Sequence, residues 1–192
     1  MGKIVPAPSS YRPISLISVV CKLMEKMANN RLVFFLEKNN LLYKFQSGFR
    51  KGRSVLDHIA ALANEARKSL NNQESLLGVF LDIHKAYDSV WKDFLLNKIT
   101  NLGINGRMFE WIRDFLSNRS FQVRVGQNLS SIFHTDKGIP QGSSLSPTLF
   151  NIMINDVASH SKLHSKIFLF ADDIAMWIRC NSLALSGKKS PE

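Results

Sequence analysis

Apolar residues recur at helical spacing early in the chain, at Val19, Leu23, Met27, Leu32 and Leu36, and predict a helix after Ser15 or Ser18, with Asn29-Asn30 as the place for an interruption. A second helix is announced by Ser54, whose hydroxyl and Asp57 three residues on have the spacing of a capping box. Val55, Ile59, Leu62, Ala66 and Leu70 then mark one apolar face that runs to about Asn71-Asn72. Residues 76–83, LLGVFLDI, break the helical period. The run is short, nearly all apolar and partly β-branched, which predicts a strand buried on both faces. Helical patterns return over 89–102, stopped by Gly103, and over 107–117. Residues 121–125 alternate, and with 131–135 they predict a hairpin closed over Gly126-Gln127-Asn128. Ser146 as N-cap and Pro147 as first helical residue predict a helix to about Val157. Last comes FLFADDIAMW, read as a hairpin with arms 166–170 and 174–178 and the tip Ala171-Asp172-Asp173.

Two adjacent acids in an apolar stretch need an explanation, because an isolated carboxylate in such a setting either takes up a proton or finds a cation. Successive strand residues face opposite ways, so a tight turn is what lets both acids project from one edge. Asp82 ends the other strongly apolar strand. If the two strands share a sheet, three carboxylates meet, and Mg²⁺ favours a few carboxylates together with water and substrate phosphates. On spacing alone, an ordinary acidic turn and an Asp82 that caps the next helix remain open alternatives.

At 192 residues, 45% hydrophobic and 21% charged, the chain can bury a core and is read as one domain, or one domain with a lobe. The net charge of +10 favours a polyanionic partner such as RNA or DNA. Cys21 and Cys180 lie far apart without metal-ligand spacing, which argues against a disulfide framework or a zinc site. The start has no apolar signal core, and no run of about 18 apolar residues occurs, so the expectation is an intracellular protein, nuclear or cytoplasmic, that is not secreted and has no membrane partner. Gly187-Lys188-Lys189-Ser190 lacks the upstream glycine of a phosphate loop.

Val79-Phe80-Leu81-Asp82-Ile83-His84-Lys85-Ala86-Tyr87-Asp88 resembles the first palm motif of reverse transcriptases of non-LTR retrotransposons, of the LINE or Jockey type. Gly138-Ile139-Pro140-Gln141-Gly142-Ser143 with Ser146-Pro147 resembles their second palm motif, and Phe170-Ala171-Asp172-Asp173 their aromatic-Ala-Asp-Asp box. Tyr11-Arg12-Pro13-Ile14-Ser15-Leu16 and Gln46-Ser47-Gly48-Phe49-Arg50-Lys51-Gly52-Arg53-Ser54 look like finger motifs of the same family. The five follow the family's order over about residues 11–178.

The resemblance implies an α+β fold, the fingers and palm of a right-hand polymerase with an antiparallel palm sheet packed on helices. Residues 1–10 are then an irregular N-terminal segment, 11–180 the fingers and palm, and 181–192 a frayed tail. It implies metal-binding catalytic roles for Asp82, Asp172 and Asp173, with the Ile83 carbonyl as a further ligand, and two Mg²⁺ ions that Mn²⁺ can replace. Tyr87 matches the residue that excludes a ribose 2′-OH, and Gln141 and Gly142 match a loop against the incoming nucleotide. Arg50 and Arg53 are candidates for the triphosphate, since a planar fork binds phosphate at two points. The implied partners are an RNA template, a DNA primer and a deoxynucleoside triphosphate. The family's lysine-bearing helix, primer-gripping hairpin and thumb have no counterpart after residue 180, so the expectation is a polymerase core impaired by truncation. The competing expectations are a catalytically silent nucleic-acid-binding remnant and an RNA-dependent RNA polymerase, the latter disfavoured by Tyr87 and by FADD.

Overall fold

The computed structural model describes residues 13–158 and 166–180, so Tyr11, Arg12 and the segment expected to fray lie outside the described residues. The chain divides into two compact units, one of Met1–Leu42 and His84–Ile154, the other of Tyr43–Ile83 and Asn155–Glu192.

The first unit is mainly helical. Helix α1, Val19–Lys38, starts at Ser18, whose Oγ accepts from the Cys21 amide. It runs through Asn29-Asn30 without interruption. Two asparagines cost at most about 0.7 kcal/mol each in a helix, less than the burial of Leu32 and Leu36 in the next turns returns. The predicted apolar row is only half a core: Val19, Leu23 and Met27 are 83%, 60% and 57% exposed. Helices α3 (Lys92–Asn101), α4 (Gly106–Leu116) and α5 (Ser146–Met153) bury Leu95, Ile99, Ile112, Leu116 and Leu149 completely or nearly so. Helix α3 begins three residues later than its periodicity suggests, because residues 90–91 are held extended: the Val90 carbonyl accepts from the Gly138 amide, and Trp91 bridges Lys137.

The predicted hairpin is present but broken. Ser120–Phe121 (β2) pairs with Phe133–His134 (β5), and Arg124–Val125 (β3) with Asn128–Leu129 (β4). Between them Ser130 replaces the ladder, its Oγ accepting from the Val123 amide and its amide donating to the Val123 carbonyl. A serine that bonds the backbone competes with strand pairing, which alternation of apolar residues does not reveal.

In the second unit, α2 (Val55–Asn71) carries both halves of the capping box expected at Ser54 and Asp57. It accompanies a three-stranded antiparallel sheet of β1 (Ser75–Asp82), β6 (Lys166–Phe170) and β7 (Asp173–Cys180), in the order β1-β7-β6. Among the described residues strand β1 is therefore an edge strand, and it is not buried on both faces: Leu77, Val79, Phe80 and Leu81 are 46%, 40%, 68% and 49% exposed. Phe80 and Leu81 border a cavity of about 370 Å³ whose lining also includes Val55, Ile59 and Trp177. Helix α2 buries His58 and Ser69 while Val55, Ile59 and Leu70 stay exposed. Arg179 on β7 ties the sheet to α2 and its exit through ion pairs to Glu65 (3.2 Å) and Glu74 (3.3 Å). Among the described residues no helix is long and apolar enough to cross a membrane.

Candidate active site

The acids of the last motif sit where the chain reverses between β6 and β7. Phe170 already pairs with Asp173, so the turn is Ala171-Asp172 alone and Asp173 is the first residue of β7, one residue tighter than the predicted tip. Ala171 has φ 55°, a left-handed conformation that costs a residue with a Cβ roughly 1–2 kcal/mol. On the other side Asp173 pairs with Asp82, the last residue of β1. Directly opposed residues of an antiparallel pair share a face with Cα atoms about 4.5–5.5 Å apart. Phe170, Asp173 and Asp82 thus form one rung at the open end of the sheet. That rung answers the charge puzzle: Asp82 and Asp173 are exposed, Asp172 is half-buried, and Ile83 follows directly after β1. The apolar residues lie behind the rung.

The turn is held from the side by residues 45–48. Gln46 makes a parallel bridge to Leu169, the Ser47 amide donates to the Leu169 carbonyl (2.8 Å), and the Leu169 amide donates to the Phe45 carbonyl (3.0 Å). The Gln46 side chain is 2% exposed, and its Oε1 accepts from the amides of Gly48 (2.8 Å) and Ala171 (3.1 Å). Gly48 lies against the turn so closely that a Cβ there would stand 2.2 Å from the Ala171 nitrogen. Both residues belong to the stretch 46–54 that resembles a finger motif, and their role against the acidic turn has no local signal.

Arg50 and Arg53 are in this unit. Arg50 is half-buried and donates through Nη1 to the carbonyls of Tyr43 (2.9 Å) and Gln46 (3.2 Å), which staples the 43–50 loop. Arg53 is exposed and donates to the Lys44 carbonyl (3.0 Å). Behind the rung, His58 packs edge-on against Phe168 and Phe170. Burial pushes its imidazole below the usual value near 6.5, against the opposing pull of Asp57 and the Phe45 carbonyl. Burial likewise raises the Tyr43 phenol, whose hydroxyl donates to the Ile167 carbonyl (3.0 Å).

The other candidates lie in the first unit. Tyr87 stacks on the buried ring of Phe150, with centroids 5.2 Å apart and planes 9° from parallel. The loop bearing Gln141 is docked on the residues around Tyr87: the Ile139 amide donates to the Tyr87 carbonyl (2.9 Å), and Gln141 Nε2 makes a long 3.4 Å contact to Asp88. The Gln141 carbonyl accepts from the Ser15 amide (2.7 Å). Gly142 adopts φ 102°, open to glycine but not readily to other residues, and a Cβ there would lie 3.2 Å from the Ser15 carbonyl oxygen. The sequence reading missed Glu25. It is 3% exposed and accepts from Ser143 Oγ (2.8 Å) and the Ser144 amide (2.9 Å), fixing the turn that enters α5. Ser143 Oγ in turn accepts from the amides of Leu145, the N-cap residue of α5, and of Ser146, its first helical residue, whose own buried hydroxyl has no partner. The helix ends at Met153, short of Val157.

The donors at the rung suit a hard divalent cation, because carboxylate and carbonyl oxygens are the ligands Mg²⁺ selects and a half-open set leaves room for water and phosphate. The register brings two of the acids onto one face. Among the described residues no three carboxylate, imidazole or thiolate side chains are gathered into a single metal-binding group.

Residues 3–184 match the family model described as reverse transcriptase (RNA-dependent DNA polymerase). The chain is 34% identical over 188 residues to the RNA-directed DNA polymerase from mobile element jockey of Drosophila melanogaster, covering 95% of this chain and 20% of that protein. It is 32% identical over 186 residues to the probable RNA-directed DNA polymerase from transposon BS of the same organism, covering 94% and 20%. It therefore spans about a fifth of the length of these relatives. Its fold is shared with the telomerase of Candida albicans, solved with a fragment of telomeric RNA, at a TM-score of 0.59 and 15% identity over 80% of this chain and 30% of that one. With an antiparallel sheet that ends in acids and a family match over nearly its whole length, the chain belongs to the reverse transcriptase family.

Proposed function

We propose that the chain is the fingers-and-palm part of an RNA-directed DNA polymerase of a mobile element, which transfers a nucleotidyl group from a deoxynucleoside triphosphate to a primer 3′-OH. The observation that carries this reading is the rung at which Asp82 opposes Asp173, with Asp172 beside it in the turn. Asp82 and Asp172, with the Ile83 carbonyl, are the residues that would hold two divalent ions, Mg²⁺ by preference and Mn²⁺ as a substitute, and Asp173 would support them. Such ions, when bound, make a hydroxyl a better nucleophile at neutral pH and stabilise the charge on departing pyrophosphate.

The remaining roles belong to the chain's own groups. Tyr87, its ring braced on Phe150, excludes a 2′-OH and so selects deoxynucleotides. Gln141 and Gly142 line the incoming nucleotide. Arg50 and Arg53 engage the triphosphate through their planar forks. The net charge of +10 draws RNA template and DNA primer through their phosphates, with affinity that falls steeply as salt rises. The setting is intracellular, in nucleus or cytoplasm.

The test is primer extension on poly(A)/oligo(dT) with dTTP or UTP and Mg²⁺ or Mn²⁺, run beside Asp172→Asn. The expected result is incorporation of dTTP over UTP that Asp172→Asn abolishes. A preference for UTP would place the chain among RNA-copying RNA polymerases. Template–primer binding without any Asp172-dependent incorporation would make it a silent nucleic-acid-binding remnant.

A further inference from the structure

We infer that Gln46 is a positioning residue for the acidic turn: through one side-chain oxygen it fixes the Ala171 amide, and with it the direction in which Asp172 and Asp173 leave the sheet. The inference deepens the polymerase reading and rests on it for its catalytic consequence, while the structural part stands on geometry alone.

A two-residue hairpin turn between paired Phe170 and Asp173 leaves the Ala171 N–H outside the ladder. Ala171 is 6% exposed, so water is a poor substitute partner, and an unpaired buried amide is costly. Its partner is Gln46 Oε1, 125 positions away. The same oxygen accepts from the Gly48 amide two residues along the chain, so the loop and the turn are joined through one atom. Both contacts come from backbone N–H donors, which fixes the side chain with oxygen rather than nitrogen toward the turn. The cost is visible on the other side of the amide: Gln46 Nε2 is buried with no partner. A glutamine kept in the core with an orphaned NH₂ group is held there for what its oxygen does.

The turn needs such a hold. Ala171 sits at φ 55°, where a residue with a Cβ is strained, and strain of this kind persists only where the surroundings over-determine it. Around Ala171 that work is done by Gln46 Oε1, by the Gly48 backbone packed against the turn, and by the bridge from Gln46 to Leu169. Release of the Ala171 amide lets the turn relax toward an unstrained conformation, which re-aims Asp172 and Asp173. Gln46 itself touches no substrate and contributes no ligand.

The test compares Gln46→Met, which keeps length but has no oxygen, with Gln46→Glu, which keeps an acceptor oxygen in either protonation state. Amide hydrogen exchange on the 192-residue chain reads the turn directly. The expected result in Gln46→Met is exchange at Ala171 faster by about tenfold or more, while the Ser47 and Leu169 amides stay protected. In primer extension the same variant loses kcat by on the order of 10²-fold, as for a reacting group misplaced by about 1 Å, with template–primer affinity unchanged. Gln46→Glu restores both the Ala171 protection and most of kcat, a rescue that simple loss of packing would not permit. Unchanged Ala171 exchange in Gln46→Met overturns the inference. So does a folded Gln46→Glu that leaves Ala171 as unprotected as Gln46→Met does, and this arm decides alone if Gln46→Met fails to fold. If the parent chain incorporates no nucleotide, the polymerase reading falls by itself, and the exchange result still decides whether Gln46 holds the turn.

Discussion

Gly48 is the position where a single methyl group should do the most damage. A Cβ built there stands 2.2 Å from the Ala171 nitrogen, 2.9 Å from its Cα and 3.0 Å from the Phe170 carbonyl carbon, and all three are backbone atoms with no side-chain freedom to yield. Ordinary contact begins near 3.5 Å, so Gly48→Ala forces loop and turn apart by on the order of 1 Å. Overpacking of this kind costs about 1–3 kcal/mol. The movement also pulls on the Ser47–Leu169 and Ala171–Gln46 hydrogen bonds, which are 2.8 and 3.1 Å long. Their loss adds roughly 1 kcal/mol each, and a further 1–3 kcal/mol if the Ala171 amide is left buried without a partner. The expected total of about 3–8 kcal/mol is a large part of the ~5–15 kcal/mol that stabilises a typical domain. Urea unfolding followed by circular dichroism should show the midpoint falling by roughly 1.5–4 M at a slope of about 2 kcal/mol/M. Gly52→Ala is the control. Gly52 has φ 74° with nothing within 4 Å of a built Cβ, so that variant carries only the left-handed backbone penalty of about 1–2 kcal/mol. Equal midpoints for the two variants would refute the argument from close approach.

Glu25→Ala should destabilise the first unit by about 2–4 kcal/mol, since it leaves Ser143 Oγ and the Ser144 amide without their acceptor, while Glu25→Gln keeps an oxygen there and loses much less; thermal melts of the two variants check this. His58 makes stability depend on pH. Its folded pKa is depressed by burial, so below the usual value near 6.5 the unfolded chain binds the proton first. The contribution of a neutral, buried His58 is therefore fully present above about 6.5 and is lost as pH falls from there toward the lower folded pKa. Unfolding midpoints at pH 8 and pH 5 should differ more for the parent than for His58→Gln, and equal differences would rule the imidazole out as the source.

Which parts of this structure could be read in advance follows from how far apart the cooperating residues lie. The capping box of α2 was legible because Ser54 and Asp57 are three positions apart and satisfy each other. The β6–β7 hairpin was legible for the same reason, and the acids at the ends of two apolar strands implied that those strands pair. Burial was harder. An unbroken apolar run is shared by a strand covered on both faces and by an edge strand left partly open, and only the order β1-β7-β6 separates the two. Ser146 ahead of Pro147 has the local look of a cap, yet the helix entry is held by Ser143, whose hydroxyl bonds Glu25, 118 positions away, and accepts from the Leu145 amide. Glu25 on a helix reads as a solvated charge, and Gln46 in a loop reads as an ordinary polar residue. Each is buried because it accepts from backbone amides that chain reversal has left unpaired: those entering α5 in one case, the Ala171 turn in the other. The residues whose roles escaped the sequence are therefore acceptors for turn amides. One of those turns, at Ala171, is left-handed, so the place to look for further positioning residues in this chain is opposite its other left-handed positions, beginning with Phe49 at φ 58° and Lys85 at φ 49°.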